Sequence, residues 1–524
     1  MEKRLWVLEA LLIFAAFALF GAYAVPDVNE AHYLGKAAFF WNPDYAPNDF
    51  FLSSPDAHAV FYLSFGWLTR CFDINTVAWI GRVLTWLLLA AGWLSMTRAI
   101  LGKWGMGLFS ALVFLTVQSR FSFAGEWVVG GVEAKGFAFA LMFFGLGAWF
   151  RGHWNRCWVL LGCSAMFHVL VGGWAILGVG VSWLILRNYG GDREAPKLVS
   201  MLPWLTLAFL LSLPALVPAL LLNRDVPSQA VEIADKLYVF ERLPHHLLLS
   251  FIAQRTPDKL IYFGGLFLIW SYLACRPRFS DADMRLRTFV YASLMFMACG
   301  WGINLFLNTH PATVAALLRF YWFRLVDVTL PMGVAVVGVL FCSQTTMPGD
   351  RNWKLRRGIL TAALLFLACL AMTDSLRRLA QNAPPRSCSG AAKYTDWLAL
   401  CDYVKNNTEP ADIFAVPYTT RTFTWYTNRP VVGVWKDIPQ DASHLVAWWN
   451  RMQMQYYGLD LTSPVHAYGR LRSFGLLPRE RFGKMKERYQ VKYVVSVKGD
   501  FPEKPVYENG AFGLWKIEDL MENK

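Results

Sequence analysis

The sequence of 524 residues is poor in charge: Asp, Glu, Lys and Arg together make up 17% of it. Hydrophobic residues account for 56%, with 24 Trp and 39 Phe, more than a soluble core requires, so a polytopic membrane protein is expected. Several signatures are absent. There is no phosphate-binding loop, no dinucleotide fingerprint and no nucleophile elbow, which argues against an ATP-driven cytoplasmic mechanism. The paired His245 and His246 have no third ligand at zinc spacing. No internal repeat and no low-complexity tract stands out. The first apolar run lacks a small-residue cleavage site and reads as a retained helix. Of nine Cys, most lie in apolar runs, where a small buried hydrophobe is the default. Cys388 and Cys401 lie in the polar C-terminal part. They form a disulfide if that part is outside the cytoplasm, and two free thiols fit the spacing equally well.

What the sequence has in abundance is long apolar runs. A span needs roughly 20 residues to cross about 30 Å of hydrocarbon. Eleven candidate runs are present. The first six are Trp6–Val25, Val77–Thr97, Gly105–Val117, Ala134–Phe150, Trp158–Leu170 and Gly172–Leu186. The rest are Ser200–Leu222, Ile261–Ala274, Thr288–Leu307, Leu325–Cys342 and Ile359–Thr373. Trp158–Leu186 also fits one long helix, and Ala59–Cys71 fits either a further span or an interfacial helix. The net charge of +13 is read as an orientation signal and not as a nucleic-acid footprint. With Lys3 and Arg4 inside, alternate short loops carry Arg98 and Lys103, then Arg151 and Arg156, then Arg187, Arg193 and Lys197. Arg276, Arg278, Arg285 and Arg287 follow, and then Arg351, Lys354, Arg356 and Arg357. Eleven spans keep all of these cytoplasmic and place the chain beyond Thr373 outside. Merging Trp158–Leu186 into one span would invert the second half.

The outer loops are long and aromatic and carry both charge signs. They are 26–75, 118–135 (QSRFSFAGEWVVGGVEAK), 223–259 (with ERLPHHLLLSFIAQR) and 308–324 (NTHPATVAALLRFYWFR). Four such loops on one face point to a site there. The division expected is a transmembrane domain over 1–375, a linker over 376–394 and an α/β domain over 395–524. In the last, Thr395–Asn407, Ser443–Tyr457 and Arg479–Tyr489 read as helices. Ile413–Val416, Val431–Trp435, Tyr493–Lys498 and Phe512–Ile517 read as strands.

Asp27 and Glu30 stand just beyond the first run. Carboxylates there are costly unless they face a cavity, a partner or the water boundary. One of them fits a general base, its pKa raised by burial against aromatics such as Tyr33 and Trp41. Alternatively Asp27 caps the first span and Glu30 sits in water. Arg82, inside the second run, fits an ion pair with these acids or a phosphate contact. Glu126 and Glu133 share a face if Gly125–Lys135 is helical, while Gly130–Gly131 argues for a turn. They bind a metal or sugar hydroxyl, or they anchor loops by pairing with Arg120 and Lys135. Arg242, His245 and His246 are the best lipid-phosphate candidates, with Arg319 and Arg324 able to join them. Against this, 223–259 holds as many acids as bases, which suits a solvated loop. His168, alone between apolar runs, reads as a packing residue.

Taken together, GEWVVGGVEAKGFAFAL, ERLPHHLL and ADIFAVPYTTRTFTWYTNRPVVGVWKDIP resemble a bacterial family with the architecture of the C-type membrane glycosyltransferases, the GT-C superfamily. That resemblance implies many helices, an acidic first outer loop and a C-terminal extracytoplasmic domain. It also implies inverting transfer of a sugar from a polyprenyl-phosphate or diphosphate donor to a lipid, glycan or protein acceptor, in the bacterial inner membrane. The first-loop acid then falls on Asp27 or Glu30, and the donor-phosphate groups among Arg242, His245, His246, Arg319 and Arg324. Metal use (Mg or Mn) differs among members. The sequence departs in two places. The acids are spaced D-x-x-E, and Trp448–Trp449–Asn450 lacks the acid of the oligosaccharyltransferase WWD motif, so peptide recognition is not carried over. The rival expectations are a transporter or flippase for a lipid-linked or anionic solute, and a non-catalytic envelope assembly protein.

Overall fold

The computed structural model describes residues 2–188, 195–277, 279–344, 352–381, 384–386, 394–418, 420, 422–456 and 473–521. Cys388 and the loop cations Arg193, Arg278 and Arg351 lie outside the described residues. The chain divides into two compact units. One comprises Met1–Ala22, Ile80–Ala219 and Arg242–Asn382; the other comprises Tyr23–Trp79, Leu220–Glu241 and Ala383–Lys524.

The first unit is helical. Each of the eleven apolar runs forms a helix. Among the described residues, seven helices are long and apolar enough to cross a membrane: Lys3–Gly21, Ile74–Leu101, Val169–Asn188, Leu198–Leu221, Asp281–Asn304, Val326–Ser343 and Trp353–Ala380. Met106–Phe121 and Ala134–Phe150 are shorter apolar helices. Trp154–Phe167 has 14 residues, and Pro257–Ala274 opens on Pro-Asp-Lys. Val326–Ser343 is 89% buried and forms the centre, whereas Leu198–Leu221 is 17% buried and turns apolar side chains outward. The stretch Trp158–Leu186 is two helices, because the backbone is extended at His168. They fold back on one another so closely that a Cβ on Gly172 would lie 2.1 Å from the Ala165 nitrogen.

Charged side chains close helix ends within this unit. The last carbonyls of a helix have no partner along the helix and carry partial negative charge, so a guanidinium satisfies both needs. Arg285 donates to the Trp149 carbonyl at 2.9 Å, and Arg287 donates to the Ala274 carbonyl at 3.0 Å. Arg378 donates to the Leu19 and Phe20 carbonyls. A helix start is served by the opposite charge: the Glu9 carboxylate accepts from the Leu108 amide, 3.1 Å away in the first turn of Met106–Phe121.

The second unit is α/β. Its sheet has the order β1-β2-β4-β3, with β1 Ile413–Ala415, β2 Val491–Val497, β3 Tyr507–Glu508 and β4 Phe512–Lys516. β1 runs parallel to β2, while the two remaining pairings are antiparallel. The helices Tyr394–Asn407, Ala442–Tyr456 and Arg479–Tyr489 lie where the periodicity puts them. Val431–Trp435 differs from its expected form. Only Val431 bridges to β1, and the carbonyls of Gly433 and Val434 accept from Tyr456, Gln455 and Trp448 instead of from a strand. Ala59–Ser64 and Gly66–Arg70 have six and five residues, too short for a span. The segment 26–75 packs on the C-terminal residues. Asp49 accepts from the Val431 amide at 3.0 Å, and Gln440 accepts from the Ala57 amide at 3.2 Å.

Candidate functional site

Polar side chains gather in one cluster in each unit. In the helical unit the cluster is built on the loop after Met106–Phe121. Asp327, fully buried in the first turn of the central helix, folds this loop. One of its oxygens accepts from the Phe123 amide at 2.7 Å; the other accepts from Ala124 and Glu126 at 2.8 and 3.1 Å. Gly125 takes φ +73°, a left-handed turn that a side chain would strain, and a Cβ there would meet His246 at 3.3 Å. The loop is a turn and not a helix, as the Gly130–Gly131 pair suggests.

The loop delivers Glu126 between two cations. Lys135 Nζ lies 2.7 Å from Oε1, and Arg324 Nε lies 2.6 Å from Oε2. Lys135 also stands 3.2 Å from Glu133 and lies over the Trp127 ring. Thus the pairing of both glutamates with Lys135 is present, while Arg120 pairs with Asp374. Arg324 reaches to within 3.5 Å of His168 Nε2, so His168 belongs to this cluster as well as to the packing. His246 contacts the Ala124 carbonyl, and its ring lies tilted against that of His245 with centroids 4.0 Å apart. Burial pushes the Glu126 carboxyl up, but the charges of Arg324, Lys135 and His246 outweigh it and leave the group below the usual carboxylate range. Arg242 is buried at the end of a π-helical turn, and Arg319 sits at the C-cap of Pro311–Leu318; neither enters the contacts just described. Arg82 is fully buried in Ile74–Leu101.

The second cluster surrounds Asp27 and Glu30, and both are fully buried. Glu30 therefore does not sit in water. Its carboxylate accepts from the Asp27 amide at 2.6 Å, and its own amide donates to the Asp27 carbonyl at 3.0 Å. This reciprocal pair closes the turn that leads into the helix Glu30–Trp41. The Asp27 side chain does not cap the first span. It takes Arg386 in a forked ion pair, with Nε at 2.7 Å, and the guanidinium lies 3.6 Å over Tyr23. Trp41 ends the helix that Glu30 begins, about 16 Å away along its axis, so it does not line the carboxylate.

Further along the same segment, Lys36 donates to the Ser54 carbonyl at 2.6 Å and stands 3.1 Å from Asp56. Asp56 in turn accepts from Tyr62 at 2.7 Å. Burial raises the Asp56 carboxyl, but Lys36 and its other neighbours outweigh that and hold it low. Burial pushes Asp49 up to about 6 despite three backbone donors. Burial also keeps His32 below its ordinary value, although Asp437 is 3.7 Å away. Sequence reasoning missed Arg386, Asp327, Lys36, Asp49 and Asp56. Only Asp327 had a signal, an acid at the edge of an apolar run.

Neither cluster fits a divalent cation. The place between Glu126 and Glu133 is taken by the Lys135 ammonium, and among the described residues no three His, Cys, Asp or Glu converge as ligands. Among known proteins, residues 395–455 match a family described as a domain of unknown function (DUF6798). That stretch includes Val431, Asp437 and Gln440, which meet Asp49, His32 and Ala57. No curated protein matches the chain.

Proposed function

We propose that the chain is an integral membrane glycosyltransferase that moves a sugar from a polyprenyl-phosphate or diphosphate donor to an extracytoplasmic acceptor. In this reading it crosses the bacterial inner membrane eleven times, with the N-terminus cytoplasmic. The observation that carries it is the gathering of Lys135, Arg324, His246 and His168 around Glu126 from segments far apart in sequence. Cations gathered with little exposure to water suit a phosphate that gains charge as it leaves. The base role falls on one of the two first-loop acids, Asp27 or Glu30.

The test uses purified protein in nanodiscs with radiolabelled polyprenyl-phosphate hexoses. Asp27→Asn or Glu30→Gln lowers turnover by about 100-fold or more. Unchanged turnover in Glu30→Gln, Asp27→Asn and the double variant removes these acids from the mechanism. One observation favours a second reading, a transporter or flippase for a lipid-linked or anionic solute. Glu9 lies in the first span, fully buried, and one of its carboxylate oxygens has no hydrogen-bond partner among the described residues. Substrate flux across sealed vesicles that is abolished by Glu9→Gln, with no transfer product, would select that reading.

A further inference from the structure

One end of the helical unit carries cations that the Glu126 cluster does not use. Arg98 lies exposed in the last turn of Ile74–Leu101, with its Cζ 3.7 Å over the Trp6 ring. Stacking covers one face of a guanidinium and leaves its in-plane N–H groups directed outward. Among the described residues Arg98 makes no hydrogen bond or ion pair. Arg151, exposed as well, follows Ala134–Phe150. Its guanidinium donates to the Gly147 and Ser95 carbonyls and, at 3.2 Å, to the Ser95 hydroxyl. Ser95 and Arg98 are three residues apart on one helix, so both guanidinium groups meet the same face of it. Partial desolvation, and then the like charge of Arg98, push the Arg151 guanidinium below its ordinary value. Trp104 Nε1 donates to the Leu5 carbonyl at 2.8 Å, so the turn that holds the exposed Lys103 lies at the same end.

No acid answers these cations. Neither 74–125 nor 134–191 contains an Asp or Glu. Among the described residues, Arg98, Lys103 and Arg151 have no carboxylate partner. Like charges held on one surface repel, and an anion brought from outside relieves that repulsion. Guanidinium groups suit a phosphate, which they engage through paired N–H donors.

The surface beneath decides which phosphate. Ile80, Leu84, Leu87, Ala91 and Arg98 fall on one face of Ile74–Leu101. Ile80, Leu84 and Leu87 are exposed, and Ala91 is partly so. Leu87 lies three turns from Arg98, about 16 Å along the axis. One leaflet of hydrocarbon is about 15 Å deep. Charge at the head and apolar length below it is the layout of a phospholipid. The exposed Trp104 is the kind of ring that the membrane boundary favours. A soluble phosphate would use the head and leave the apolar face unused. This end is also distinct from the Glu126 cluster. Lys135 and Arg151 stand at opposite ends of Ala134–Phe150, about 24 Å apart along its axis.

We propose that Arg98 and Arg151, with Lys103 beside them, bind the phosphodiester of an anionic phospholipid whose acyl chains lie along the Ile80–Leu87 face. The proposal requires the apolar helices to sit in a bilayer and does not depend on sugar transfer. The test is native mass spectrometry of the full chain, stripped of lipid in detergent. The probes are phosphatidylglycerol, phosphatidylcholine and glycerophosphoglycerol, the last being the first headgroup without its chains. At equal concentration the first adduct of phosphatidylglycerol should exceed that of phosphatidylcholine at least five-fold, with no adduct of glycerophosphoglycerol. Arg98→Gln should cut the phosphatidylglycerol adduct at least five-fold while the melting profile is kept. Lys484→Gln, which removes the same charge from the surface of the sheet unit, should leave it unchanged. If Arg98→Gln does not fold, Lys103→Gln replaces it. Equal adducts of the two lipids, or an equal adduct of glycerophosphoglycerol, overturns the proposal. So does an adduct that survives the folded variant or falls as far in Lys484→Gln.

Discussion

Replacing Lys135 by Met tests whether the Glu126 cluster is a fixed ionic lattice. The ammonium lies 2.7 Å from Glu126 and 3.2 Å from Glu133, and both glutamates are at least nine-tenths buried. Removing one partner of a buried pair leaves charge that water cannot reach, at about 3–5 kcal/mol. Glu126 keeps Arg324 at 2.6 Å, so the lower end, about 3 kcal/mol, is expected. The assay is unfolding by SDS titration in mixed micelles, run on Lys135→Met, Glu126→Gln and the double variant. The pair should couple by about 1–3 kcal/mol, with the double variant less unstable than the sum of the singles. A pH effect accompanies it. Glu126 has a folded pKa below its unfolded value, so its stabilisation is present above the unfolded pKa and is lost as pH falls through the folded one. Without Lys135 the folded pKa rises, and the acid loss of stability from this group shrinks. A coupling under about 0.5 kcal/mol would refute the lattice and leave a hydrated, mobile set of charges.

Two further outcomes follow from the second unit. Arg386→Met strands the buried Asp27 carboxylate and destabilises by about 1–3 kcal/mol, less than for a fully buried pair because the Arg386 side chain is 36% exposed, and adding Asp27→Asn recovers part of it; equal loss in single and double variants would dismiss the ion pair. Burial raises Asp49 to about 6 in the folded chain, so the folded state holds the extra proton between about pH 4 and 6. Its contribution to stability therefore falls as pH rises through that window and is flat above it. The stability difference between wild type and Asp49→Asn should change across that window, and a pH-independent difference would contradict the assignment.

Helical runs were legible because the constraint on them is one-dimensional: hydrocarbon must be crossed by enough apolar residues, and that can be counted. The break at His168 was visible indirectly, through the conflict that one long helix creates with the basic loops. Val431–Trp435 was misread for a physical reason. Alternating valines look alike whether their backbone groups meet a strand or the side chains of Trp448, Gln455 and Tyr456. That Asp27 and Glu30 need partners was legible from the cost of carboxylates near hydrocarbon, but which partners was not. Arg386 lies 359 residues from Asp27 in sequence, in a stretch read as a linker, and no periodicity announces such a partner. Asp327 was missed because its one signal, an acid at the edge of an apolar run, fits a first helical turn in water equally well.

The buried arginines change how the charge pattern of such a chain is weighed. Arg285 and Arg287 counted above as loop cations, yet they are 1% and 4% exposed and close the ends of neighbouring helices. Arg287 is further neutralised by Asp283 at 2.9 Å. A side chain engaged in this way is set by packing, and it has little left to offer the membrane surface. The orientation signal in that loop then rests on fewer residues, led by Arg276. Arg429 does the same work in the sheet unit, donating to the Lys405 carbonyl at 2.9 Å and the Thr427 carbonyl at 3.1 Å, the ends of two helices. In a chain with so few charges, helix ends and loop folds occupy many of them. The cations around Glu126 are different in kind. Lys135 and Arg324 close no helix end in the contacts described; they converge on a carboxylate held by a loop, and that is why the functional reading is placed there and not on the more numerous arginines elsewhere.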